Sequence, residues 1–213
     1  MSIEKNLNSI KRSIPSNVSI IAVSKTKPNR DILSAYNAGQ KTFGENKVQE
    51  LVKKQEELPN DIHWHMIGHL QTNKVKYIAP FVSLIHAVDS IKLLQEINKR
   101  AKQNNRIIDC LLQVHIATEN TKFGFDINEI ENAIKESDKF KNINIKGLMG
   151  MATFTNNTEQ INTEFKKISR LFKKVKSNTI NILSIGMSGD YNLAIDHGST
   201  MIRIGSAIFG NRN

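Results

Sequence analysis

The chain has 213 residues, 39% hydrophobic and 23% charged, which is ordinary for a globular protein able to bury a full core in one domain. No apolar run approaches the ~20 residues that span a bilayer. The polar start Met1-Ser2-Ile3-Glu4-Lys5-Asn6-Leu7 lacks the apolar stretch and the small-residue cleavage site of a signal peptide. With 1 cysteine, Cys110, no intrachain disulfide can form, and a cytoplasmic location is expected. The formal net charge of +10 raises nucleic acid as a partner. The lysines, however, are scattered along helical patterns (Lys53-Lys54, Lys166-Lys167, Lys173-Lys174) and only 6% of residues are aromatic. A solvated lysine-rich surface is the better reading, with neither nucleic acid nor membrane as partner.

Residues 3–13 have the spacing of a short amphipathic helix, with Ile3, Leu7 and Ile10 on one side. An apolar strand over about 19–24 follows and runs directly into Lys25-Thr26-Lys27-Pro28. Side chains alternate along a strand, so Ile21, Val23 and Lys25 share a face with Lys25 at its top. A helix from Pro28 to Gly39 comes next, then a strand over about 41–44 and a helix over about 46–58 broken by Pro59. The alternation continues with a strand at 62–67, a helix at 71–79 closed by Pro80, and a strand at 83–88. A helix capped by Asp89-Ser90 runs to about Gln103, before a strand at 107–115. Past the loop Thr118–Gly124 lie a helix at 127–138, a strand at 144–149 and a long helix at 159–176. A strand at 181–185, a helix at 190–197 and a strand at 200–204 complete the pattern.

Eight strands alternating with helices predict a parallel sheet. The number eight favours a closed (β/α)8 TIM-type barrel with an extra N-terminal helix, one domain over 1–213. An open doubly wound sheet is the rival; no Gly-x-Gly-x-x-Gly follows the first strand. Barrels build their sites at the strand C-terminal ends, and phosphate commonly sits in the loops after strands seven and eight. This chain has Gly186-Met187-Ser188-Gly189 in the first of these loops and Gly205-Ser206-Ala207 in the second. Glycine lets backbone N–H groups approach an anion, and serine adds a hydroxyl. Arg203 is the only charge in the apolar run Met201-Ile202-Arg203-Ile204, and burying it without a partner is costly. Closure of the barrel would set strand eight beside strand one, so Arg203 and Lys25 would be neighbours. The nearby cation would lower the Lys25 pKa and free its amine for Schiff-base chemistry. A reactive lysine, a fixed arginine and a phosphate cradle suggest an aldehyde that carries a phosphate.

The residues then match a family. Ala22-Val23-Ser24-Lys25-Thr26-Lys27-Pro28, Phe43-Gly44-Glu45-Asn46 with Val48-Gln49-Glu50, and Trp64-His65-Met66-Ile67-Gly68-His69-Leu70-Gln71-Thr72-Asn73-Lys74 carry the first half of the resemblance. Lys146-Gly147-Leu148-Met149, Leu183 to Ser188 and Gly198 to Gly210 carry the second. In that order they resemble the pyridoxal phosphate homeostasis proteins, relatives of the barrel domain of alanine racemase (the fold-type III cofactor-binding barrel). The resemblance implies that Lys25 forms the internal aldimine with pyridoxal 5′-phosphate (PLP). It implies that Ser188, Gly205 and Ser206 hold the phosphate, that Arg203 meets the pyridine nitrogen, that Asn46 belongs to the pocket, and that Ile67 and Met187 line the ring. Ser206 stands where the family often has threonine, and Gly150-Met151 replaces a commoner pair.

Arginine stays protonated and cannot take a proton from a pyridinium, so the ring is expected to be a weak electron sink. Alanine racemase adds a C-terminal domain with a catalytic tyrosine; this chain ends at Asn213, just after the barrel, and Tyr36, Tyr77 and Tyr191 fall in helical stretches. The expectation is therefore a non-enzymatic monomer with no catalytic residue and no metal. It would buffer or deliver PLP for vitamin B6 homeostasis and contact PLP-dependent apo-enzymes transiently. An active amino-acid racemase or decarboxylase is the alternative. A metal-dependent hydrolase built on His63-Trp64-His65 with His69, His86 and Asp89 is a weaker one, because no ligand set of fixed spacing completes it. A secondary contact at the Lys122 loop stays open.

Overall fold

The structure, a computed structural model, describes residues 2–119 and 123–210. Asn120, Thr121 and Lys122, where a secondary contact was considered, lie outside the described residues.

Eight strands pair in parallel and in chain order, and the last pairs with the first to close a barrel. They are β1 (Ser19–Val23), β2 (Thr42–Glu45), β3 (His63–Met66), β4 (Leu84–Val88), β5 (Ile108–Val114), β6 (Ile143–Gly150), β7 (Ile182–Met187) and β8 (Met201–Ile204). Closure sets Ile21 of β1 opposite Arg203 of β8. The helices are α1 (Ile3–Ser13), α2 (Asn29–Asn37), α3 (Val48–Glu57), α4 (Val75–Ile78), α5 (Ile91–Gln103), α6 (Ile130–Ser137), α7 (Thr158–Val175), α8 (Tyr191–Asp196) and α9 (Ser206–Phe209).

Strands of a parallel barrel are covered on both faces, which is why they read as unbroken apolar runs. Outward residues such as Ile20, Phe43, Ile85 and Leu183 pack with the helices in one large core, where Cys110 is also buried. Inward residues Ile21, Leu84, Leu111, Met149 and Met201 fill the barrel itself. Helix α1 buries Leu7 and Ile10 and lies against α9, where Asn6 Nδ2 donates to Ile208 O at 3.0 Å. Helix starts follow capping chemistry: Ser2, Ser90 and Asn157 accept from first-turn N–H groups. No helix among the described residues is long and apolar enough to cross a membrane.

Four sequence expectations shift. The first strand stops at Val23, and Lys25 lies in the turn beyond it, because Lys27 N–H closes back on Ser24 O at 3.0 Å and Thr26 adopts φ 64°. The seventh strand runs on to Met187, through Gly186 at φ 95°; the pairing with β8 changes register between Ser184 and Met187, and a left-handed glycine is what lets it continue. The 71–79 helix is a 3-10 turn (Thr72–Lys74) leading into the single turn of α4, since nine residues of helical period do not distinguish the two. Residues 206–209, read as loop, form α9.

Candidate functional site

The C-terminal mouth of the barrel opens into a cavity of about 560 Å³. All eight residues singled out from the sequence line it. Lys25, Asn46 and Ile67 follow β1, β2 and β3; Met187 ends β7 and Ser188 follows it; Arg203 lies on β8, with Gly205 and Ser206 after it. Lys27, Asp190 and the segment from Thr153 to Asn156 also line the wall. Three cations against one carboxylate make the cavity attractive to an anion.

The turn that carries Lys25 is clamped from behind by a buried ion cluster. Ser24 Oγ donates to Glu45 Oε1 at 2.5 Å. Lys54 Nζ donates to Glu45 Oε1 (2.8 Å), Glu50 Oε1 (2.7 Å) and Ser24 O (2.7 Å). Thr26 N–H donates to Glu50 Oε1 at 2.6 Å. The residues on both sides of Lys25 are thus tied to one ammonium and two carboxylates. Burial pushes the Glu45 carboxyl above its ordinary range, against the pull of Lys54. Lys54, which the sequence assigned with Lys53 to a solvated face, is only 5% exposed, and this corrects that reading. A lysine on a helix is indistinguishable from a surface lysine until β2 supplies Glu45 beneath it. Glu45 and Glu50 lie inside the matched segments, but in the sequence a carboxylate there carries no sign of the buried cation it meets.

Arg203 is 4% exposed. Its Nη1 donates to Ser184 O and Ser184 Oγ, both at 2.7 Å, and Nη2 donates to Gly150 O at 2.8 Å. Among the described residues it makes no ion pair. Burial lowers its pKa to about 10, with Asp190 countering, so it remains charged at neutral pH. The sequence called for a polar partner; Ser184 and the Gly150 carbonyl supply it. The expected pairing of Arg203 with Lys25 is replaced by Arg203 opposite Ile21, and the two cations share the cavity, not a register position.

The two glycine loops meet through Ser188. Its Oγ accepts from Gly205 N–H at 3.1 Å and from Ala207 N–H at 3.3 Å, so the loop after β7 caps the start of α9. Lys27 Nζ donates to Phe209 O (3.1 Å) and Gly210 O (3.2 Å) at the other end of α9. Asp190 Oδ1 accepts from Met187 N–H at 2.5 Å, which shapes the loop; burial raises its carboxyl pKa, opposed by that N–H and by Arg203.

The family model for the alanine racemase N-terminal domain matches residues 1–213. The chain belongs to that family. Within it, the chain is 39% identical over 197 residues to the pyridoxal phosphate homeostasis protein of Aquifex aeolicus, spanning 91% of this chain and 86% of that one. It is 36% identical to the Haemophilus influenzae protein of the same name, spanning 100% and 97%. The structure of PipY from Synechococcus elongatus with PLP bound superposes with a TM-score of 0.89 at 32% identity, covering 98% of this chain and all of that one. The barrel expected from the strand–helix alternation is the one this family shares.

The histidines considered for a metal are arranged otherwise. His63 is exposed, while His65 and His86 turn into the barrel and bond to each other, Nδ1 to Nε2, at 2.9 Å. Among the described residues no three His, Cys, Asp or Glu groups are gathered as metal ligands. Tyr36 lies away from the mouth, its hydroxyl donating to Asp61 Oδ1 at 2.7 Å.

Proposed function

We propose that this protein holds PLP on Lys25 and takes part in intracellular vitamin B6 homeostasis, buffering or delivering the cofactor. The observation that carries this reading is that one cavity is lined by a lysine, a buried arginine on neutral acceptors, and two serine- and glycine-bearing loops. The donor set suits a phosphorylated pyridine aldehyde. Lys25 offers the amine for its carbonyl, Arg203 a permanent donor for the ring nitrogen, and Ser188, Gly205 and Ser206 the polar wall for its phosphate. Ile67 and Met187 supply apolar flanks, and Asn46 a further polar contact.

PLP, when bound, supplies an electrophilic carbonyl and a ring that withdraws electrons only weakly if its nitrogen stays unprotonated. Arg203 has N–H donors and no acceptor, so it can satisfy an unprotonated ring nitrogen but not the N–H of a protonated one. The other ionisable groups at the cavity have structural tasks: Lys27 holds the carbonyls ending α9, and Asp190 holds the Met187 N–H. The relatives' name, pyridoxal phosphate homeostasis protein, also supports binding over turnover and disfavours a racemase or decarboxylase.

On this reading residues 1–213 form one PLP-binding barrel domain, monomeric and cytoplasmic, that meets apo-enzymes transiently. The test is an absorbance spectrum of wild type and Lys25→Ala after incubation with PLP and desalting. A retained band in the wild type alone, fixed by borohydride as a mass addition on Lys25, is the expected result. Equal retention by both proteins, or by neither, overturns it. Sedimentation of the loaded protein at the mass of two chains would overturn the monomer.

A further inference from the structure

Inside the barrel, beneath the cavity, lies a row of polar groups for which the proposed function has no use so far. Ser184 and His86 are fully buried, and His65 is 7% exposed. Arg203 Nη1 meets Ser184 Oγ at 2.7 Å; Ser184 Oγ meets His86 Nδ1 at 3.2 Å; His86 Nε2 meets His65 Nδ1 at 2.9 Å. These contacts join β8, β7, β4 and β3 across the interior.

The direction of every bond follows from its first member. A guanidinium has no acceptor, so Arg203 donates and Ser184 Oγ accepts. The Ser184 hydroxyl hydrogen then needs an acceptor of its own, and His86 Nδ1 is the one within reach among the described residues. His86 therefore carries its proton on Nε2 and donates it to His65 Nδ1. His65 in turn carries its proton on Nε2. An imidazolium at His86 would present N–H on both sides and leave the serine hydrogen without a partner. Burial agrees with this: it holds His65 at about 3 and His86 well below its ordinary value, with the Arg203 charge acting in the same sense on His86.

We propose that His86 is a positioning residue for Arg203: its Nδ1 lone pair holds the Ser184 hydroxyl turned away from the guanidinium, so that the serine oxygen stays an acceptor for Arg203. The row runs one way, from the cavity floor through Ser184 and His86 to His65. Without the His86 acceptor, the buried Ser184 hydrogen has to find another, and its oxygen lone pair leaves Arg203. The guanidinium then keeps two carbonyls, Ser184 O and Gly150 O, of its three acceptors. The significance for a ring nitrogen rests on the proposed function; the row itself does not.

Two-bond nitrogen–proton spectra of the ligand-free, nitrogen-15-labelled full chain test the direction. The expected result is an Nε2–H tautomer with bare Nδ1 on both His65 and His86, and Arg203 Nη protons resolved by slow rotation. His86→Phe keeps an aromatic ring and removes the acceptor; it should cause the loss of the resolved Arg203 Nη signals. An Nδ1–H or an imidazolium at His86 overturns the proposal, as does a folded His86→Phe protein with unchanged Arg203 signals. The tautomer measurement needs no variant, so a misfolded substitution does not remove the test. Failure of the cofactor reading would appear separately, as no PLP retained by the wild type.

Discussion

Acid should loosen this barrel through its two interior histidines. His65 is held at about 3 in the folded protein against an ordinary 6.5, because burial penalises the charged ring, and His86 is shifted in the same direction. Below pH 6.5 the unfolded chain takes up protons that the folded chain refuses. Stability is complete above 6.5 and falls as pH drops towards 3. One pH unit corresponds to about 1.36 kcal/mol, so by pH 5 His65 alone removes about 2 kcal/mol. For a chain of this size each kcal/mol moves Tm by roughly 2–4 °C, which makes about 4–8 °C from His65, with His86 adding to it. Glu45 and Asp190, whose carboxyls are raised by burial, act with the opposite sign, so a variant is needed to isolate the histidine share. Calorimetric Tm values at pH 7.5, 6.5, 5.5 and 5 for wild type and His65→Leu supply it. The variant starts lower, because the His86 N–H loses its acceptor, but its slope against pH should be flatter. Equal slopes for wild type and variant, or a steeper slope for the variant, would refute the assignment of two neutral buried rings.

Lys54→Met should cost about 3–5 kcal/mol in urea unfolding, because it leaves Glu45 buried without its cation; it should also speed amide exchange at Thr26, and a loss under 1 kcal/mol would count against the clamp on the Lys25 turn. In Gly147→Ala, the new Cβ would lie 1.8 Å from Ile182 O, so β6 must part from β7, and a loss of about 3 kcal/mol is expected from the same assay. Ser188→Ala frees the Gly205 and Ala207 N–H groups; about 1 kcal/mol of stability and a measurable share of PLP affinity should go with it, and unchanged equilibrium dialysis would contradict the phosphate assignment. Gly68→Ala would set a Cβ 2.4 Å from Asn46 O, and should displace that cavity residue and weaken PLP retention.

The cavity was legible because its members sit at strand ends, where a short apolar run stops and a single chemistry-bearing residue begins. Lys25 after Ile20–Val23 and Arg203 inside Met201–Ile204 each break a pattern that two-sided burial would otherwise keep apolar. Lys54 broke no pattern. It occupies an ordinary helical position, and its burial depends on Glu45, nine residues earlier on a different element. In the sequence His65 pairs with His63 on one strand face and His86 stands apart, and both enter only as candidate metal ligands. Their bond joins two neighbouring strands, and Ser184, which meets His86, is 98 residues further along.

The sequence alone determined what local chemistry can encode: the order of strands and helices, the faces they bury, the glycine turns, and which residues stand at the C-terminal ends. These follow from backbone sterics and hydrophobic period, both settled within a few residues. Only the tertiary structure decided which elements face one another. Closing β8 onto β1 brings Lys25 and Arg203 to one cavity. Packing α3 under the mouth turns a surface-like lysine into the hub behind the Lys25 turn. Enclosure makes charge expensive, so two imidazoles stay neutral and the arginine lies on carbonyls and a hydroxyl. Burial and partner choice are properties of the closed barrel, and no stretch of chain carries them alone.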